Sequence, residues 1–156
     1  MNKVTLLGTG CPSPSHLRYG PSSLVSFEGK NYLIDAGSGV TQRLSEVGIK
    51  PGEIDYILIT HLHSDHIVDL YQVFISGWHT GRETQFKVYG PKGIKKYFNK
   101  IFEAYKEELH LRKEWEKRPN KDGLMYEITE ISDELIIEFD NTVIRSVKVD
   151  HHPVEP

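Results

Sequence analysis

The sequence has few of the residues that would place it in a disulfide-stabilised, membrane-spanning or strongly charged class. Cys11 is the one cysteine in 156 residues, so no disulfide can form within the chain. A chain without disulfides fits a reducing compartment, and we expect a cytoplasmic protein. No apolar run approaches the roughly 18–20 residues of a membrane span, and residues 1–8 lack the layout of a signal peptide. We therefore expect no membrane association.

Neither sign of charge dominates the chain, because the net charge is only −3. This excludes a protein that binds nucleic acid through a large positive charge of the whole chain. The charge is uneven, however, since residues 87–122 hold eleven Lys and Arg against six Asp and Glu. This basic middle segment either contacts phosphates or forms a solvated helix face, and the second interpretation is favoured.

The remaining composition is that of an ordinary globular protein. Hydrophobic residues make up 38% of the chain and charged residues 26%, which is enough for a core in a protein of this size. We therefore expect one domain over residues 1–156.

A cluster of metal-ligand side chains stands out against this background. Three histidines and an aspartate, His61, His63, Asp65 and His66, lie within six residues and follow the apolar run Ile57–Ile59. His61 and His63 can reach one point if the backbone is extended, and the other two can face a neighbouring point. Imidazole favours zinc and related metals. A polar loop with scattered histidines is disfavoured, because unpaired polar groups at the end of a buried strand are costly.

This cluster resembles the HxHxDH signature of the metallo-β-lactamase-fold hydrolases, in residue type and in spacing. Two further stretches resemble the ribonuclease Z branch of that family: Gly8-Thr9-Gly10 with residues 18–23 after a first strand, and Gly90-Pro91-Lys92-Gly93 before a helix. The resemblance implies an α/β (α+β) fold, an αββα sandwich of which this chain holds the N-terminal part. It also implies a hydrolase with two zinc ions, or manganese in their place, that acts on a phosphodiester or RNA, including tRNA 3′ ends. We also expect a homodimer.

The same resemblance implies a ligand set. His61, His63 and His152 would hold the first metal, and His151 is the alternative to His152. Asp65 and His66 would hold the second metal, and Asp65 would also handle the proton of the attacking water.

Two other residues near the expected site have open roles. By resemblance, Asp35 lies beside the metals and orders a ligand imidazole, whereas its alternative role is to form a turn or cap a helix. Cys11 is a poor candidate ligand because the chain has no second cysteine. The substrate-binding residues are not predicted, although His16 and Arg18 lie in a loop that meets either substrate or solvent.

The chain departs from the ribonuclease Z pattern in two places. Residues 76–92 are too short for the arm with which tRNA-processing members grip tRNA. A bridging aspartate and a last histidine, which normally follow later in the chain, do not occur by Pro156. We therefore expect a domain truncated at its C-terminal side that is weak or inactive alone. Two alternatives stay open: hydrolysis of a lactone, thioester or sulfate ester, and a non-catalytic module that binds RNA or a partner.

Hydrophobic periodicity predicts the remaining elements. The predicted strands are residues 3–8, 24–27, 32–34, 56–60, 86–89, 125–131, 134–139 and 142–149, and the predicted helices are 40–47, 67–78 and one long helix through 94–109. A tight turn is predicted at Asp140-Asn141. His79 is predicted to lie at the surface. Trp115 either stacks on a base or packs on the core, and packing is favoured.

Overall fold

The computed structural model describes residues 2–132, 134–139 and 142–151. Its strands are β1 (Lys3–Gly8), β2 (Ser22–Phe27), β3 (Lys30–Ile34), β4 (Tyr56–Leu58), β5 (Phe86–Pro91), β6 (Tyr126–Ile131), β7 (Leu135–Phe139) and β8 (Thr142–Ser146). Its α-helices are α1 (Val40–Glu46), α2 (Ser64–Ile67), α3 (Leu70–His79), α4 (Ile94–Ala104) and α5 (Lys106–Glu116). Two 3-10 turns span Pro51–Glu53 and Lys121–Leu124. Over these described ranges, no helix combines the length and the apolar character needed to cross a membrane.

Six strands form a mixed sheet in the order in which they occur along the chain. β1, β2 and β3 are antiparallel. β3, β4, β5 and β6 are parallel, and each parallel step crosses over through helices, as parallel pairing requires. The carboxyl ends of β3 and β4 therefore lie side by side at one edge of the sheet.

One face of this sheet carries the hydrophobic core. Alternate residues of the central strands, including Leu24, Leu33, Ile57 and Val88, are at most 3% exposed. They form one cluster with the apolar sides of α1, α3 and α4. Phe74 of α3 lies within 5.3 to 6.3 Å of five other aromatic ring centroids. Burial of these large rings stabilises the helices against the sheet.

The other face of the sheet meets the β7–β8 ribbon. A cleft of about 350 Å³ lies between sheet residues such as Leu58 and Tyr89 and residues 144–149, which comprise the end of β8 and the segment that follows it. At the β1 edge, Val4 and Leu6 are 67% and 65% exposed. The helix layer, the sheet and the ribbon thus agree with part of the expected αββα sandwich.

Most predicted elements are confirmed, and the differences lie at their ends. β1 spans the predicted residues. β8 ends at Ser146 rather than at residue 149, and the predicted turn at Asp140-Asn141 lies outside the described residues.

The prediction of one long helix over 94–109 was wrong. The chain leaves helical geometry at Tyr105, with φ −100° and ψ 7°, and forms α4 and α5 instead. The Tyr105 ring stacks on Tyr71 with 4.2 Å between centroids. The hydrophobic period continues across this break because Tyr105 still faces the protein.

Candidate metal centre

The histidine cluster lies where the carboxyl ends of two parallel strands meet. His61 and His63 follow β4 in an irregular segment, and α2 then carries Asp65 and His66. Asp35 follows β3, which pairs with β4. Crevices at the carboxyl ends of parallel strands are the usual place for binding sites in α/β sheets.

Three imidazoles from two distant segments converge at this edge. The ligand atoms of His61, His63 and His151 all lie within 4.8 Å of one another. His61 Nε2 is 2.9 Å from His63 Nδ1, and the His61 ring centroid is 4.6 Å from that of His151. His61 is buried, whereas His63 and His151 are exposed. The group is therefore open to solvent on one side.

The Asp35 side chain connects Thr60 and His66 next to this group. Its carboxylate accepts hydrogen bonds from the Thr60 amide at 2.8 Å, from the Thr60 hydroxyl at 2.9 Å and from His66 Nδ1 at 2.7 Å. Asp35 is buried and has φ +60°. Among residues other than glycine, aspartate is one of the few that tolerate this left-handed backbone. The structure thus places Asp35 in contact with a motif imidazole, and no helix cap involves its side chain.

These contacts determine which ring nitrogens face the cluster. The Thr60 hydroxyl has one proton, which goes to the Asp35 carboxylate, so at 2.9 Å it accepts from His61 Nδ1. His61 Nε2 is then the nitrogen with the free lone pair, and it faces His63. For His66, Nδ1 is bound to Asp35 and Nε2 is left free. Binding of one ring nitrogen to an oxygen partner is how proteins orient metal-ligating histidines.

The surroundings of His61 favour its neutral imidazole. The pKa of His61 is lowered by burial first, and then by the neighbouring His66, His151 and His63 rings. Asp35 opposes this effect weakly. Because only neutral imidazole offers a lone pair to a metal, this environment holds His61 in the form that coordinates.

Asp65 and His66 lie beside the three imidazoles. The His66 ring centroid is 4.0 Å from that of His61, and His66 Nε2 is 3.9 Å from Asp65 Oδ2. The amide of Ala36 donates to the His66 carbonyl at 2.7 Å. Gly37 lies so close that an added Cβ would be 2.6 Å from the Asp65 carbonyl. Glycine is therefore required at Gly37 for the loop after β3 to pack against the motif.

His16, Arg18 and Cys11 do not join the cluster. They lie in the loop of residues 9–21, which together with Ser64 and Asp65 lines a cavity of about 480 Å³. His16, Arg18 and Cys11 are exposed. This cavity places the loop next to the motif without making Cys11 a ligand.

The third imidazole comes from the chain segment that the sequence analysis indicated. His151, the alternative in that analysis, lies in the cluster, whereas His152, the first choice, lies outside the described residues. Thr60 was not singled out, although it links Asp35 to His61. No sequence signal marks it beyond its position immediately before the histidines.

The donor set fits a divalent metal. Three nitrogens of suitable type lie within reach of one ion, and one of them already has the second-nitrogen partner that ligating histidines need. The carboxylate and imidazole of Asp65 and His66 offer an oxygen and a nitrogen to a neighbouring ion.

The fold and this site define the class of protein to which the chain belongs, the metallo-β-lactamase fold. Residues 2–156 match the family model described as "Anti-Pycsar protein Apyc1". The chain belongs to that family.

Relatives and solved structures agree with this assignment. Ribonuclease Z of Mycolicibacterium gilvum is 36% identical over 163 residues, which cover 100% of this chain and 55% of that protein. The short form of human tRNase Z, ELAC1, superposes with a TM-score of 0.78 at 22% identity, over 99% of this chain and 62% of that one. The metallo-β-lactamase fold protein YhfI of Bacillus subtilis superposes with a TM-score of 0.70 at 16% identity. The superposition covers 97% of this chain and 54% of YhfI. The chain spans about half the length of the curated relative that it matches.

Proposed function

We propose that this protein is a metal-dependent hydrolase of phosphodiesters. The observation that carries the proposal is the convergence of His61, His63 and His151, because ninety residues separate the first from the last and their ligand atoms still lie within 4.8 Å. Bringing three imidazoles together at a strand end is costly unless they share a binding partner. The resemblance to ribonuclease Z relatives supports the same class of activity.

In this proposal, His61, His63 and one imidazole of the His151–His152 pair hold one zinc ion, and Asp65 and His66 hold the other. When bound, the two ions supply hydroxide at neutral pH and polarise the phosphoryl group. The chain's own residues orient this site. Asp35 binds His66 directly and His61 through Thr60 at the Nδ1 atoms, so that both Nε2 atoms would be available to hold a metal.

Asp65 has a second role in this proposal. Its side chain borders both the cluster and the 480 Å³ cavity, so a substrate in that cavity would have its scissile phosphate beside Asp65. The carboxylate is then placed to accept a proton from the attacking water. The cavity walls include Arg18, and a cation there favours an anionic substrate.

The short connection between α3 and β5 favours a small substrate. It consists of residues 80–85, which leaves no room there for a long tRNA-gripping arm. We therefore propose that small phosphodiesters or short RNA, rather than precursor tRNA, are the preferred substrates. The expected homodimer and cytoplasmic location belong to the same proposal.

A substrate panel with matched variants tests this function. The protein is assayed with zinc and with manganese on bis-p-nitrophenyl phosphate, linear and cyclic nucleotides, precursor tRNA, a lactone and a thioester. We expect turnover of a phosphodiester that falls at least 100-fold in H63A and stays unchanged in H110A, which replaces an exposed histidine on α5. Turnover of the lactone or thioester alone would replace the proposed bond class. No turnover of any substrate, or equal turnover in H63A, would contradict the proposal.

Single variants of the last two histidines assign the third ligand. Because His151 lies in the cluster, we propose it as the third ligand, and H151A should then lose more metal affinity than H152A. A larger loss in H152A would transfer the role to His152. Size-exclusion chromatography with light scattering tests the homodimer, and a mass of about 17.9 kDa for the native protein would contradict it.

A further inference from the structure

A loop forms most of the wall of the cavity beside Asp65. Residues 11–18 leave β1 and return toward β2, and all of them except Leu17 line the cavity of about 480 Å³. Every residue of this loop is exposed. Within the part of the chain that the structure describes, its one hydrogen bond is local, from the Leu17 amide to the Ser15 hydroxyl at 3.2 Å. The shape of this wall therefore depends on what holds the two ends of the loop.

The ends of the loop bind to each other and to the turn after β3. The Gly10 amide donates to the Tyr19 carbonyl at 2.7 Å. The Gly20 amide donates to the Ser38 carbonyl at 2.9 Å, and the same turn packs against the Asp65 carbonyl. The end of the loop at Tyr19 is therefore connected to Asp65 through backbone contacts.

The Tyr19 side chain packs on the beginning of α1. A Cβ added to Gly39, which immediately precedes α1, would clash with Tyr19 Cδ1, so the ring lies directly against that backbone. The Arg43 guanidinium carbon lies 5.4 Å from the centroid of the same ring, within the range of a cation–π contact. Gly39 and Arg43 are four residues apart, on one side of the helix. Tyr19 is 40% exposed, so these contacts hold a ring that the core does not cover.

Arg43 also contacts the chain at the other end of the loop. Its Nε donates to the Leu7 carbonyl at 2.8 Å, just before the loop begins. The pairing of β1 with β2 is irregular between Leu6 and Gly8, where the extra residue of a bulge is left unpaired, so the guanidinium provides a donor there. The ion pair of Arg43 with Glu46 is partly exposed and contributes little to stability. One side chain thus connects the residues that precede and follow the loop.

We propose that Arg43 is a positioning residue for substrate binding, which holds the loop at the cavity through its contacts with Tyr19 and Leu7. This role rests on the proposed function, because that function places the scissile phosphate in this cavity. Arg18, a cation in the cavity wall, directly precedes Tyr19, so release of the Tyr19 ring displaces it. Arg43 is not among the described residues that line the cavity, and its effect on the substrate therefore passes through the loop. Loss of Arg43 weakens substrate binding and leaves the metal centre and the chemical step intact.

The single cysteine of the chain provides a probe on the loop itself. Cys11 is exposed, and a nitroxide attached to it reports the mobility of the loop by electron paramagnetic resonance, independently of any hydrolysis. R43M and Y19A each remove one partner of the cation–π contact. The matched controls are Y19F, which keeps the ring, and R112M, which removes an arginine that makes ion pairs within α5. The unlabelled proteins are assayed on bis-p-nitrophenyl phosphate with zinc, and zinc binding is measured by calorimetry.

We expect the nitroxide to be more mobile in R43M and Y19A than in the wild type and to keep its wild-type spectrum in Y19F and R112M. R43M should raise KM about fivefold or more, with kcat and the zinc dissociation constant changed less than about twofold, whereas R112M should leave KM unchanged. A wild-type spectrum in R43M, a more mobile loop with unchanged KM, or an equal rise of KM in R112M would each overturn the role of Arg43. A wild type that does not hydrolyse this substrate would contradict the proposed function and remove the substrate role of Arg43 with it, whereas the spectra would still decide whether Arg43 holds the loop.

Discussion

At the scale of single residues, Asp35 decides how the motif is presented. One carboxylate accepts from the amide and hydroxyl of Thr60 and from His66 Nδ1. It does so from a left-handed backbone position, with φ +60°. The side chain thus joins the end of β3 to the segment after β4, and it fixes the orientation of two imidazoles at once.

We predict that D35N weakens zinc affinity by about 10- to 100-fold and lowers the free energy of unfolding by about 1–2 kcal/mol. Asparagine tolerates the left-handed backbone, so the variant isolates the loss of one acceptor oxygen from backbone strain. Calorimetric zinc titration and urea denaturation measure the two effects.

The matched control is D55N. Asp55 accepts from the Asn31 amide at 2.8 Å and from Lys30 at 3.2 Å, away from the histidines. D55N should reduce stability without changing zinc affinity. Equal zinc affinity in D35N and wild type would refute the positioning role of Asp35.

Residue-level prediction from the sequence succeeded where the chemistry is local. His61, His63, Asp65 and His66 lie within six residues, so their spacing alone places them together. His79 shows the opposite case. It was predicted to lie at the surface, but it is half-buried and contacts Glu116, 37 residues away, at 3.1 Å. The sequence pattern of the α3 segment cannot predict a contact with a residue on another helix, such as Glu116 on α5.

At the scale of elements, a buried arginine joins α3 to the sheet. Arg82 is 3% exposed and donates from one nitrogen to the carbonyls of Phe74 and Gly123, both at 2.7 Å. Its guanidinium carbon lies 4.8 Å from the Phe86 ring centroid. Burial lowers the pKa of Arg82 to about 10, so it is charged at neutral pH. The burial of Arg82 could not be predicted from the sequence, because Arg82 lies in a polar stretch typical of a surface loop.

We predict that R82M lowers the free energy of unfolding by about 2 kcal/mol, since two buried carbonyls lose a charged donor. Removal of a buried charge offsets part of the loss. Urea denaturation measures the change, and R18M, at an exposed arginine, is the control expected to leave stability unaffected. An R82M protein as stable as wild type would show that the guanidinium contacts contribute nothing net.

The α3–α5 junction makes stability depend on pH. Arg118 first, and then His79 and Arg112, lower the pKa of Glu116 to about 2. A carboxyl group with a lowered pKa in the folded state stabilises the protein above its unfolded pKa, about 4.3. This stabilisation is lost as the pH falls through about 2.

We therefore predict that wild type melts at a higher temperature than E116Q at pH 7 and that the difference shrinks between pH 4 and pH 2. Thermal unfolding of both proteins across that range measures the difference. The control is E114Q, which replaces a neighbouring carboxylate that has no ion pair within the described part of the chain. A difference that is constant with pH would contradict the role of Glu116 as a carboxylate.

At the scale of the whole molecule, the architecture follows from the sequence better than the contacts between distant elements do. Alternation and periodicity predicted the strands and most helices because each pattern is local. The break at Tyr105 was missed because the hydrophobic period continues through it. The exposure of Trp115, at 86%, was missed because a helix pattern does not tell which of its sides another element covers. The convergence of His151 with the motif was predicted only through resemblance to a family.

The central claim is that imidazoles from the motif and from the end of the described chain bind one divalent cation. Titration with Co²⁺, followed by visible absorption, tests it most directly. We predict a d–d band when Co²⁺ binds. The dissociation constant for Co²⁺ should rise at least 100-fold in H61A and in H63A and should stay unchanged in H110A. Equal Co²⁺ affinity in H63A and H110A, or no band in the wild type at any cobalt concentration, would contradict this prediction.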